Sequence, residues 1–361
     1  MVGMESISPL ACAFVVLGAP LAGTALVVLA SFRTARLADW IGLLAAVVAL
    51  AGAGLLTAQI FADQRLYEEW FVWIAGDELK IGVGLLGDRL SAGMLAGALV
   101  AGVVVHGYTL NRGEKVGRVV TLQISAFSVA LVLLGDGYGL LYVGWALLGL
   151  CAYFSIEDHQ REEARRMGWK VRAIDRGGET ALVLGIAGLL AQTGRLDSGV
   201  VEAVTSSGET SIWIGALLLL AAAARFAQVF LYVRWSVTAD GAASVRALFY
   251  AIVAALTSAH LVMRSWPLCP TESAPLLASS AVGTVGLLIC IPTWFVRSTA
   301  RFVRDMVDAL LIDLVIVGGI GLSVRGIGWL LACLQTGRVR FYLLSIATGT
   351  GVVLFYLTQM R

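Results

Sequence analysis

Arg225 to Arg264 reads RFAQVFLYVRWSVTADGAASVRALFYAIVAALTSAHLVMR: an apolar run, a polar break at Thr238–Ala242, then a second apolar run. Arginines stand at both ends, an Arg234–Trp235 pair precedes the break, Arg246 follows it, and His260 lies deep in the second run. A charge near the middle of a bilayer costs roughly 2.5–3.5 kcal/mol on insertion scales, so such residues turn toward protein or water. The stretch therefore predicts a broken membrane helix running on into a further span, and its ionisable residues are the first place to look for chemistry.

The rest of the chain agrees with a membrane setting. Its 361 residues are 59% hydrophobic and 14% charged, with a mean hydropathy of +0.86, the composition of an all-α polytopic membrane protein. Continuous apolar runs, rather than short alternating segments, argue for helices and against a β-barrel. A net charge of +2, with the basic residues confined to loops, excludes nucleic acid as a partner. Cys12, Cys151, Cys269, Cys290 and Cys333 lack the paired spacing of zinc or iron–sulfur ligands, so they read as small buried hydrophobes. No cofactor and no metal are expected. The first apolar run has no basic leader and is long enough to span, so no cleavable signal is expected.

Runs of about 20 apolar residues predict spans near 8–30, 39–61, 86–110, 119–134, 137–156, 178–193, 212–233, 245–265, 274–296, 305–323 and 340–358, about eleven in all, with Gly326–Leu334 as an added half-span or interfacial turn. Loops 31–38, 111–118 and 157–176 are basic and should face the cytoplasm; 62–80 and 194–211 are acidic on balance and should lie outside, with the amino terminus. Trp70, Trp73, Trp213 and Trp266 fall near span ends, as an aromatic belt would place them. The 157–176 loop has mixed charges at helical spacing and reads as a solvated helix or turn.

Several stretches then resemble one family. Trp73 with Val83-Gly84-Leu85-Leu86-Gly87-Asp88-Arg89-Leu90-Ser91, His106-Gly107-Tyr108, Gly144-Trp145-Ala146-Leu147-Leu148-Gly149-Leu150-Cys151-Ala152-Tyr153, Lys170 with Arg176, Gly178 and Glu179, residues 225–264, and Gln335-Thr336-Gly337-Arg338-Val339-Arg340-Phe341-Tyr342 occur in one order. This order resembles the antiporter-like subunits of respiratory complex I and of multisubunit cation/proton antiporters, and most of all the distal, largest such subunit. The resemblance covers about the first 265 residues and the last 60 or so. It implies other membrane subunits and the lipid bilayer as partners, and a multi-pass place in an energy-transducing membrane, the bacterial or mitochondrial inner membrane.

The departures bear on function. In the family a glutamate of the fifth span pairs with a lysine of the seventh, and a histidine or lysine of the eighth continues the proton path. Here those positions carry Ala146, Arg225 and Tyr250. Between Trp266 and Phe302 there is one span where the family has most of a second inverted repeat. The expected division is therefore 1–265, a first-repeat bundle, and 266–361, a shortened carboxyl-terminal set of helices.

A proton relay needs groups that exchange protons near working pH, and an arginine keeps its charge there. Arg225, His260, Tyr250, Asp136 and Glu179 are the proton-path candidates, with no catalytic residue among them. Ala146 is expected to leave Arg225 without its answering carboxylate. Asp136, in a Gly-Asp-Gly-Tyr-Gly turn, is expected to be solvated, and His260 to be the only titratable group well inside a span. Arg234, Trp235 and Arg246 are expected at the interface. Asp308 and Asp313, five apart, fall on different helical faces and form no pair. The expectation is a degenerate antiporter-like subunit of a complex I type NADH:quinone oxidoreductase membrane arm, mainly structural, a non-catalytic subunit at most. The alternative is an active proton- or cation-translocating subunit of a complex I, cation/proton antiporter or inorganic-carbon uptake assembly, in which water, His260 and partner-chain residues complete the path.

Overall fold

The computed structural model describes residues 8–62, 66–75, 80–110, 115–156, 162–206, 212–238 and 242–268. The spans expected at 274–296, 305–323 and 340–358, the shortened 266–361 region beyond Leu268, and Asp305, Asp308 and Asp313 lie outside the described residues.

The chain begins with two helices packed along each other, α1 (Pro9–Ser31) and α2 (Ala35–Phe61). Each starts where a hydroxyl caps an unpaired amide: Ser8 accepts from Ala11 N at 3.2 Å, and Thr34 from Leu37 N at 3.3 Å. A side chain at Gly23 would meet Ala45 Cβ at 2.5 Å, so this pair of helices closes on small residues.

An antiparallel hairpin follows, β1 (Leu66–Ala75) and β2 (Lys80–Gly87), where the resemblance anticipates a strand-like loop. It corrects the expectation of a purely helical chain. Its polar Glu68 and Glu69 on β1 and its paired backbone suit an aqueous surface, where open sheet edges can bond water.

Helix α3 (Arg89–Thr109) then enters on a capping box formed by Asp88 and Ser91. Helix α4 (Val116–Leu134) follows, with Leu131 to Leu134 all buried. At Gly135-Asp136-Gly137 the chain turns tightly into α5 (Tyr138–Ile156). Gly137 has φ 92°, and a Cβ there would overlap Leu196 O, so only glycine fits.

Helix α6 runs without interruption over Glu162–Thr193, 32 residues. The basic stretch expected to be a solvated helix or turn is, from Glu162 on, the first half of a long helix, but it is not wholly solvated: Val171, Ile174 and Asp175 on it are buried. A short helix, α7 (Val200–Ser206), precedes α8 (Ile212–Thr238) and α9 (Ala242–Ser265), which pack along each other and end in a 3-10 turn at Trp266–Leu268. The polar break expected at Thr238–Ala242 falls at the junction of α8 and α9. Trp145, Leu182, Ile214, Leu218 and Leu261 centre the apolar core that joins α5, α6, α8 and α9.

Seven of the described helices, α1 to α5, α8 and α9, are long and apolar enough to cross a membrane. Trp213 and Trp266 are about half exposed at their expected ends, as a belt position requires. Trp235 and Arg246 are buried instead of sitting at an interface, because α8 and α9 cover each other there.

Candidate functional site

The buried charge of the bundle centres on Arg225, on the inward face of α8. Its guanidinium is 2% exposed and makes three contacts to two other helices. Nη2 donates to Trp145 O on α5 at 2.8 Å. The same nitrogen lies 3.4 Å from Asp175 Oδ1 on α6, and Cζ stands 4.2 Å from the centroid of the Trp145 ring. A flat, delocalised cation stacks on an indole while bonding in its own plane, which an ammonium cannot do.

Asp175 thus answers Arg225, correcting the expectation that Ala146 leaves it alone. The carboxylate comes from α6 instead of α5, and it is 3% exposed. Gln228, one turn beyond Arg225 on α8, donates from Nε2 to the same Asp175 Oδ1 at 3.0 Å. Tyr232, a further turn along, donates its hydroxyl to Gln228 Oε1 at 3.3 Å. Spacing of three and four residues puts 225, 228 and 232 on one stripe, and 175 with 179 on another.

Glu179 lies in this second stripe. It is buried, paired through Oε2 with half-exposed Arg176 at 2.6 Å. Its Oε1, Asp175 Oδ2, Arg172 Nη1 and Arg225 Nε are buried without a hydrogen-bond partner. Donors and acceptors are both present among them.

Tyr250, one of the proton-path candidates, is joined to hydroxyls of α4 and α5. Its oxygen lies 2.8 Å from both Ser125 Oγ and Ser155 Oγ, and Ser155 Oγ is 3.2 Å from Thr121 Oγ1. Between this group and the ion pair runs a crevice lined by Arg225, Gln228, Tyr232 and Tyr250 on its polar side and by Leu148, Ala152, Val253 and Ala254 on the other. It is too narrow to take a water-sized sphere.

Two remaining candidates stand apart. Asp136 is 6% exposed, not solvated: Oδ1 accepts from Ser198 N at 3.1 Å, and its own amide donates to Gly84 O at 2.9 Å. It ties the turn before α5 to β2 and to the loop before α7. His260 is buried on α9 with Nδ1 unbonded, one turn before Arg264, which pairs with Asp88 at 2.8 Å. It is not alone as a titratable group inside a span. His106 on α3 is also buried, with Nδ1 2.9 Å from Gly102 O and Nε2 3.1 Å from Gln123 Nε2, itself donating to Gly42 O.

Asp175 is the residue that sequence reasoning missed. The signal was its register: it precedes Glu179 by one helical turn within a stretch whose charges pass for a solvated face.

Residues 138–294 match the family described as NADH:quinone oxidoreductase/Mrp antiporter, transmembrane. NADH-quinone oxidoreductase subunit L of Mycobacterium tuberculosis is 29% identical over 282 residues, 74% of this chain and 44% of that protein. NADH-ubiquinone oxidoreductase chain 5 of Cryphonectria parasitica is 26% identical over 294 residues, 79% of this chain and 44% of that protein. Among solved structures, a chain of the membrane-bound sulfane sulfur reductase, an archaeal respiratory membrane complex, superposes with a TM-score of 0.58 at 18% identity, over 73% of this chain and 42% of its own. A chain of the Mrp complex from Dietzia gives 0.57 at 14% identity, over 70% and 48%. The chain spans less than half the length of these curated relatives.

Proposed function

We propose, from the premise that the chain is an antiporter-like membrane subunit, that it serves as an architectural member of a complex I type NADH:quinone oxidoreductase membrane arm. In this reading it seals the bilayer and holds neighbouring membrane subunits, and proton translocation through it is lost or much reduced. The observation that carries the reading is the state of Arg225. A guanidinium does not give up its proton in a protein, and this one is held by Asp175, by a backbone carbonyl and by an indole face. The crevice beside it ends on Tyr250, a phenol bonded to serine hydroxyls. Such a unit supplies a fixed charge and cohesion between helices, not a carrier of protons.

The test is proton flux in proteoliposomes holding the whole complex. Replacing Arg225→Met and Asp175→Asn together removes the pair without stranding either charge. Flux per turnover is expected to stay at the wild-type level with this pair replaced, and also with His260→Ala. A large loss of flux in a complex that still assembles would overturn the reading.

One observation favours a second reading, an active proton- or cation-translocating subunit of a complex I, cation/proton antiporter or inorganic-carbon uptake assembly. Glu179 is a buried carboxyl with one oxygen unbonded, one turn from Asp175. Carboxyls are groups that environment can tune to exchange protons. Under the second reading Glu179→Gln abolishes flux, and under the first it leaves flux unchanged.

A further inference from the structure

Gly149 lies on α5, one turn after Trp145, and is buried. A Cβ built there would overlap Asp175 Oδ2. Many buried glycines permit close backbone approach, but this one meets a single side-chain carboxylate from another helix. That carboxylate has little room to give. It is 3% exposed, its Oδ1 takes a hydrogen bond from Gln228 at 3.0 Å, and the same oxygen faces Arg225 at 3.4 Å. An aspartate has only two side-chain torsions, so turning Oδ2 away from position 149 also moves Oδ1 off both partners.

We propose that Gly149, Asp175 and Arg225 form one unit, in which the missing side chain at 149 admits the carboxylate of 175 and that carboxylate positions the guanidinium of 225 on Trp145. Asp175 is a positioning residue: it supplies the counter-charge that lets an arginine be buried at 225 although Ala146 on α5 carries no charge. Gly149 sets which helix that counter-charge comes from, because a larger residue would close α5 against it. The unit joins α5, α6 and α8 at one point, and it stands whether or not protons move through the chain.

Thermal unfolding of the purified full chain in detergent tests this, independently of any flux measurement. Gly149→Ala and Asp175→Ala are each expected to lower Tm by on the order of 5 °C or more, since each leaves a buried guanidinium without its carboxylate. The double variant is expected to be no worse than Asp175→Ala alone, because the obstruction and the thing obstructed are then both gone. Where Asp175→Ala fails to fold, adding Arg225→Met is expected to recover a folded protein, in which Gly149→Ala is tolerated. Additive losses for 149 and 175, a harmless Gly149→Ala, or an Asp175→Ala loss unchanged by Arg225→Met would each overturn the proposal.

Discussion

Tyr250 shows how much a single hydroxyl organises. It reaches Ser125 on α4 and Ser155 on α5 from α9, so one oxygen joins three helices where none of the three donors could find water. Tyr250→Phe removes that oxygen and leaves two serines facing a ring. Both serines keep a bond to Thr121, so the expected cost is about 0.5–1.5 kcal/mol, that of a lost hydrogen bond rather than of a stranded group, and it should appear as a lower Tm with proton flux unchanged. Gln123, two residues before Ser125 on α4, plays the same part toward α2 and α3, where its amide bonds Gly42 O and His106. In both places the polar atoms point inward because lipid offers them no partner.

At the scale of elements, entry into α3 depends on Asp88. Burial pushes its carboxyl up, but the Ser91 amide and hydroxyl and the Arg264 guanidinium together bring it below the usual aspartate range. A depressed value in the folded chain means the stabilisation is fully present above the unfolded pKa and is lost as pH falls through the folded one. Asp88→Ala is therefore expected to cost about 1 kcal/mol near neutral pH, and the gap between variant and wild-type Tm should begin to narrow as the pH drops below roughly 4 and go on narrowing as it falls through the folded value. A gap that does not narrow at all as pH falls would show that the cap does not act through its charge. Helix α6 makes a different point about elements. Its first half has the charges of a surface helix, yet tertiary contacts bury one stripe of them, so the wet and dry parts of one helix are divided by face as well as by length.

Over the whole molecule, the hairpin, the Gly135-Asp136-Gly137 turn and the loop before α7 meet at one end of the bundle, through Asp136 N to Gly84 O, Tyr138 N to Leu196 O and Ser198 N to Asp136 Oδ1. The basic connections at Arg33, Arg36, Lys115 and Arg118 belong to the opposite end, as the alternation of helices requires. Positive-inside distribution then predicts that the hairpin lies outside. In a chain with its five cysteines replaced, a membrane-impermeant maleimide is expected to label Glu68→Cys in intact cells and Lys115→Cys only after permeabilisation. Labelling in the reverse order would invert the orientation.

Sequence alone determined the membrane class, the positions of α1 to α5, α8 and α9 within about five residues, the hairpin as an extended loop, and the family resemblance, but it missed α7 and read the first half of α6 only as a solvated helix or turn. These follow from local quantities: run length, apolar content, capping residues and motif order, each of which acts through neighbours in the chain. Only the tertiary structure decided that Asp136 is buried, that Trp235 and Arg246 leave the interface, and that Arg225 has a carboxylate. Its partner lies 50 residues away on a helix whose charges give no sign of which face turns inward. That choice is made by packing, where an absent side chain at Gly149 leaves the space that Asp175 fills.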